Sequence, residues 1–144
     1  SGDRTPWNIA DRHTDPSVID KFRDIVRVRE RLRPYLANQM AKAVKTGKPL
    51  MRPLYFDSSD PAIWDSRSSY EWRLGDNLLV APIVNEGALS RIVWLPSGSD
   101  WVDIHSGESH HGGNFFEAES PAASIPVFVR ASAWLEMKSI FQMG

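Results

Sequence analysis

The sequence predicts an α+β chain in which a long amphipathic helix and a short strand lead into a small antiparallel β-sandwich. Three observations carry this. Val18, Phe22, Ile25, Val26, Leu32, Leu36 and Met40 recur at helical three-four spacing. From Leu78 onward the apolar runs shorten and are separated by turn residues. Between them, Arg27 to Leu54 and the later GDNLLVAP read as a helix feeding a buried strand, then an all-β unit, the layout of the closing part of a larger barrel.

Composition narrows the function classes. The chain has 144 residues, short of the roughly 250 of a complete (β/α)8 barrel. Hydrophobic residues make up 42 %, enough for a packed core. A net charge of −1 does not draw the whole molecule to nucleic acid or an anionic membrane. The absence of cysteine excludes disulfides, thiolate zinc sites and a thiol nucleophile, and fits a reducing, cytoplasmic setting. No apolar run approaches the ~18 residues of a membrane span, and SGDRTPW lacks the basic-then-apolar pattern of a signal peptide.

Residues 1–15 are polar and read as a loop. Asp15-Pro16 is a helix start, with Asp at the cap and Pro at the first helical position. Pro34 removes a backbone donor and is expected to kink or split the helix near Arg33. Gly47 and Pro49 stop it. Between Ser17 and Lys48 there are nine Lys or Arg against three acids. A nucleic-acid surface is one reading, but no aromatics interleave, and a solvated face laced with ion pairs fits better. Leu50–Phe56 reads as a strand disturbed by Pro53, and 57–69 as loop. Strands are expected at Leu78–Val84, Arg91–Leu95, Trp101–Ile104, Asn114–Glu119 and Ile125–Val129. The boundary between lobes falls near Gly75.

The motifs RTPW (4–7), RERLRPYL (29–36), GKPLMRPL (47–54), LGDNLLVAPIV (74–84), WLPSGSDWVDIHSG (94–107) and IPVFVRA (125–131) follow one another in the order seen in glycoside hydrolase family 31, which the chain resembles over nearly its whole length. The resemblance implies the C-terminal part of a retaining α-glycosidase acting on α-glucosides or α-xylosides. Residues 1–75 are then the last helix and strand of a (β/α)8 catalytic barrel, and 76–144 the β-sandwich domain that follows it. The family's two catalytic aspartates come from strands ahead of this chain, so the resemblance implies no catalytic residue, cofactor or metal here. Arg4 and Trp7 lie nearest the missing sugar-binding segment and are the candidate substrate contacts. The implied partners are the parent's carbohydrate substrate and the remainder of its own polypeptide, with no nucleic acid or membrane. A barrel cut before its last strand leaves an open edge, so copies of the chain are expected to associate. Two positions depart from the family pattern. Ser132 stands where Gly is frequent, a strain if φ is positive there, and His105 where an aromatic is common.

Retaining hydrolysis needs two carboxyls about 5–5.5 Å apart. The pairs Asp57–Asp60, Asp11–Asp15 and Asp100–Asp103 match no catalytic motif. Asp57, after a candidate barrel strand, is best read as a loop cap. His110 and His111 alternate across a strand and do not chelate together. Arg52, set among apolar residues, needs a carboxylate from Asp57, Asp65 or Asp76, and Arg130 is judged alike. Tyr35 and Trp64 read as core or inter-lobe packing. The rival reading is a carbohydrate-binding β module with solvent-facing Trp94, Trp101 and Trp134.

Overall fold

The computed structural model describes residues 16–56, 58–85, 87–119 and 125–142, with side chains described from residue 26 onward. Arg4, Trp7, Asp11, Asp15 and Asp57 lie outside the described residues.

Helix α1 spans Pro16–Thr46. It begins at the proline the sequence marked and is continuous through Pro34, so of the expected kink or split the split does not occur. One missing backbone donor does not end a helix whose flanking residues Leu32, Tyr35 and Gln39 dock on the rest of the chain. Gly47 terminates it at φ +77, its N–H donating to Ala43 O at 2.8 Å.

The strands are β1 (Met51–Pro53), β2 (Trp72–Leu74), β3 (Leu78–Val80), β4 (Ser90–Leu95), β5 (Asp100–Asp103), β6 (Ser109–His111), β7 (Asn114–Glu119) and β8 (Val127–Arg130). Between β1 and β2 lie short 3-10 turns at Leu54–Phe56, Pro61–Trp64 and Ser66–Ser68. Helix α2, Ala131–Phe141, closes the described chain. One sheet has the order β1-β2-β3-β8-β5-β6; the other is the β4-β7 hairpin. Every pairing is antiparallel. β1 and β2 pair into the same sheet as β3, so the boundary expected near Gly75 falls inside the β2–β3 hairpin.

The central strands β3 and β8 of the six-stranded sheet are covered on both faces, which explains their unbroken apolar runs LLV and VFV. Leu79 and Phe128 are register partners and face the β4-β7 layer with Val93, Leu95 and Trp101. Their neighbours Leu78 and Val129, also paired, turn to the opposite face and pack with Ala133 and Met137 of α2 and with Leu32 and Tyr35 of α1. The order is hairpin, sheet, helices. The sandwich expectation therefore holds as a small antiparallel β-rich domain, with a helical layer added.

Candidate functional site

The joint between α1 and the sheet is built on the turn 74–77. Gly75 is buried, and its φ of +67 lets the turn form without a side chain. A Cβ there would lie 2.5 Å from the Tyr35 hydroxyl and 2.7 Å from Gln39 Cγ. Those two residues lock the turn. The Tyr35 hydroxyl donates to Leu74 O at 2.7 Å and accepts from Asn77 N at 3.0 Å. Gln39 Oε1 accepts from Asp76 N at 3.0 Å. Burial pushes the Tyr35 phenol up, so it remains a proton donor.

Asp76 gathers the charges. Its carboxylate takes Arg52 Nη1 at 2.9 Å and Lys42 Nζ at 3.3 Å, and its carbonyl accepts from Arg73 Nη2 at 2.5 Å and Arg130 Nη2 at 3.0 Å. Partial burial alone would raise its pKa, but the hydrogen bonds from Arg52 and Lys42 together outweigh it and hold the carboxyl below its usual range. Of the carboxylates the sequence offered to Arg52, Asp76 pairs with it and Asp65 pairs with Arg67, while Asp57 lies outside the described residues. Arg130 bonds Ser99 Oγ and the Asp76 carbonyl rather than a carboxylate.

A second arginine-centred lock holds residues 67–71. Arg91 donates to the carbonyls of Arg67 (3.2 Å), Ser69 (2.8 Å), Tyr70 (3.1 Å) and Pro82 (2.9 Å). Among described residues other than glycine, Tyr70 alone has a positive φ, +56, a conformation costing about 1–2 kcal/mol for a side-chain-bearing residue. Beside it Glu71 is buried, with Oε1 accepting from Trp94 N at 2.9 Å and Oε2 without a hydrogen-bond partner among the described residues. Burial drives its pKa up to about 8, against the smaller pull of the Trp94 N–H and the Arg91 charge. A raised carboxyl suits general-acid chemistry in a cleft, but this one is sealed in the core and bonded to backbone. Nothing in the sequence marked it.

The other flagged residues have structural roles. Asp60 caps a 3-10 turn by accepting from Ala62 N, and Asp65 accepts from Arg67 N and pairs with the Arg67 guanidinium. Asp103 accepts from His105 N, and Asp100 meets His111 at 3.2 Å. His110 stacks on Phe116. Among described residues no group of three or more His, Asp or Glu could hold a metal. Trp94 and Trp101 are core residues. Trp64, expected in core or inter-lobe packing, is not a core residue: it is 72 % exposed and stacks on Tyr55 with rings 5.8 Å apart. Ser132 lies within α2, where φ is negative, and carries no strain.

The sequence profile of the glycosyl hydrolase family 31 C-terminal domain matches residues 47–135, from just before β1 into α2. The chain belongs to glycosyl hydrolase family 31. A Kribbella flavida relative named 1,3-alpha-isomaltosidase is 40 % identical over 140 residues, which is 96 % of this chain and 19 % of that protein. An isomaltosyltransferase of Sporosarcina globispora is 32 % identical over 99 % of this chain and 13 % of its own length. The solved cycloalternan-degrading enzyme from Trueperella pyogenes, in complex with cycloalternan, matches with a TM-score of 0.82 and 41 % identity over 90 % of this chain and 17 % of that one. The chain thus spans less than a fifth of each of these relatives. Among described residues no helix is long and apolar enough to cross a membrane.

Proposed function

We propose that this chain is the closing part of a retaining α-glycosidase that hydrolyses α-glucosides or α-xylosides, and that it is structural rather than catalytic. The observation that carries this is the two-sidedness of α1. One face, with Leu32, Tyr35 and Gln39, docks on the sheet and its turn. The other presents Val26, Met40 and Val44, exposed by 53 %, 53 % and 86 %. Spacings of fourteen and four residues put these three on one stripe. A helix with a second apolar stripe is a layer waiting for another layer, and the barrel implied by family membership supplies it. In this reading α1 and the segment before it, with Arg4 and Trp7 bordering the sugar pocket, are the barrel's share of residues 1–75. β1 and β2 carry the chain across into the β domain that residues 76–144 complete. The lack of cysteine supports a cytoplasmic setting.

The test is complementation. The upstream remainder of the parent protein and this chain are produced separately and together, and hydrolysis of isomaltose and of 4-nitrophenyl α-glucoside and α-xyloside is followed. Activity is expected only from the pair, and Val44→Asp together with Met40→Asp should abolish it. Turnover by this chain alone would overturn the reading. Of the three tryptophans that a module with a solvent-facing row would use, Trp94 and Trp101 are 5 % and 1 % exposed and Trp134 is half-buried.

A further inference from the structure

We infer that the groove beside Tyr70 is an ancillary binding site for a glucosyl unit of an α-glucan, with the Tyr70 ring as its stacking platform. The ligand class rests on the glycosidase reading above; the site rests on the geometry. The groove has a volume of about 400 Å³, within the roughly 300–1,000 Å³ of ligand sites. Its lining residues include the polar Ser66, Ser69, Asn85 and Ser90, the apolar Val84 and Ile92, and Tyr70 with Arg91 beside them. Hydroxyls and an amide beside apolar carbon are what a pyranose needs, because its rim is polar and its C–H face is not.

The strain at Tyr70 points the same way. A side-chain-bearing residue at φ +56 persists only when its surroundings hold it there. The holder is Arg91, which donates to the carbonyls of Tyr70, Ser69 and Arg67 in succession. Tyr70 so held is 65 % exposed. Glycine would serve the turn with no strain, so the turn itself does not require a tyrosine. What the tyrosine adds is an aromatic side chain among the groove's lining residues, on a backbone that the Arg91 guanidinium holds. Fixing the backbone beneath the platform before binding lowers the ordering cost that weakens surface sites.

The test titrates the full 144-residue chain with isomaltotetraose, and with cellotetraose as a control, by calorimetry and by amide NMR shifts. Saturable binding of the α-linked probe is expected, with the largest shifts at residues 66–70 and 83–92. Tyr70→Gly removes the ring and relieves the strain, so it should lose at least about tenfold in affinity without a fall in melting temperature. Tyr70→Phe should bind within about threefold of wild type. Val84→Arg, at an exposed position of the groove, should block binding with the Arg91 lock intact. No saturable binding by wild type, equal binding by Tyr70→Gly, or shifts centred elsewhere would overturn the inference. So would binding by the isolated chain that disappears in the intact parent, since the groove would then be covered by the rest of the polypeptide. Complementation that survives any of these results leaves the closing-part reading standing.

Discussion

The turn at 74–77 and the loop at 67–71 are both held by arginines, and they are held differently. At the turn, Arg52 meets a carboxylate, Asp76, whose carbonyl also takes Arg73 and Arg130. At the loop, Arg91 meets only carbonyls, and the nearby carboxyl of Glu71 bonds a backbone N–H instead. The turn joins α1, β1 and β8, elements distant in sequence, and a charge-assisted network suits that task. The loop folds locally on β4, and neutral dipoles suffice. The price is a buried acid that stays protonated at neutral pH. One lock is therefore weakened by acid and the other by base.

The largest expected effect breaks the first lock sterically. Gly75→Ala places a methyl against the Tyr35 hydroxyl at positive φ and should destabilise by about 3 kcal/mol or more. In hydrogen exchange, α1 should lose protection before the β4-β7 hairpin does. Equal loss in both would mean the joint is not a separate unit.

Glu71→Gln separates the locks by pH. The pKa of Glu71 is raised from 4.5 to about 8 by folding. Its stabilising contribution is therefore fully present below 4.5 and is lost as pH rises through about 8. In that window wild-type stability should fall by up to about 1.4 kcal/mol per pH unit from this group. The glutamine variant, a neutral isostere, should flatten the slope and be the more stable protein at pH 8. Urea unfolding at pH 5 and pH 8 measures it.

Arg52→Met probes the ionic half of the comparison. It should cost about 2 kcal/mol at pH 7. Because the pKa of Asp76 is depressed from 3.8, the pair's contribution is present above that value and is lost as pH falls through the lower folded one. Wild type and variant should therefore converge in acid; a constant gap down to pH 2 would show that Arg52 acts through packing. The smallest effect is at Tyr70. Tyr70→Gly should stabilise by about 1 kcal/mol, read as a rise in melting temperature.

Much of the fold was legible because it repeats along the chain. The helix start at Pro16, the stop at Gly47, and strands β4, β5 and β7 came from periodicity and turn residues. β2 and β6 did not. Trp72-Arg73-Leu74 and Ser109-His110-His111 are three residues each, too short for a pattern. α2 was missed although Ala, Leu, Glu, Met and Lys favour a helix, because family motifs ended just as it began. The candidate site was half legible. Arg52 among apolar residues demanded a carboxylate, but that Asp76 supplies one depends on a turn that only folding brings near. Glu71 carried no signal, since its character comes from burial beneath β4.

Sequence alone determined the family, the antiparallel character of the β unit and the amphipathic helix, because each is written in local order: motif succession, turn spacing, apolar period. Tertiary structure decided that β1 and β2 join one sheet with the rest, that Trp94 and Trp101 are core while Trp64 and Tyr70 are surface, and which carboxyl is charged. Those outcomes depend on which surfaces meet and how much water is excluded between them, and neither is a property of any stretch of residues by itself.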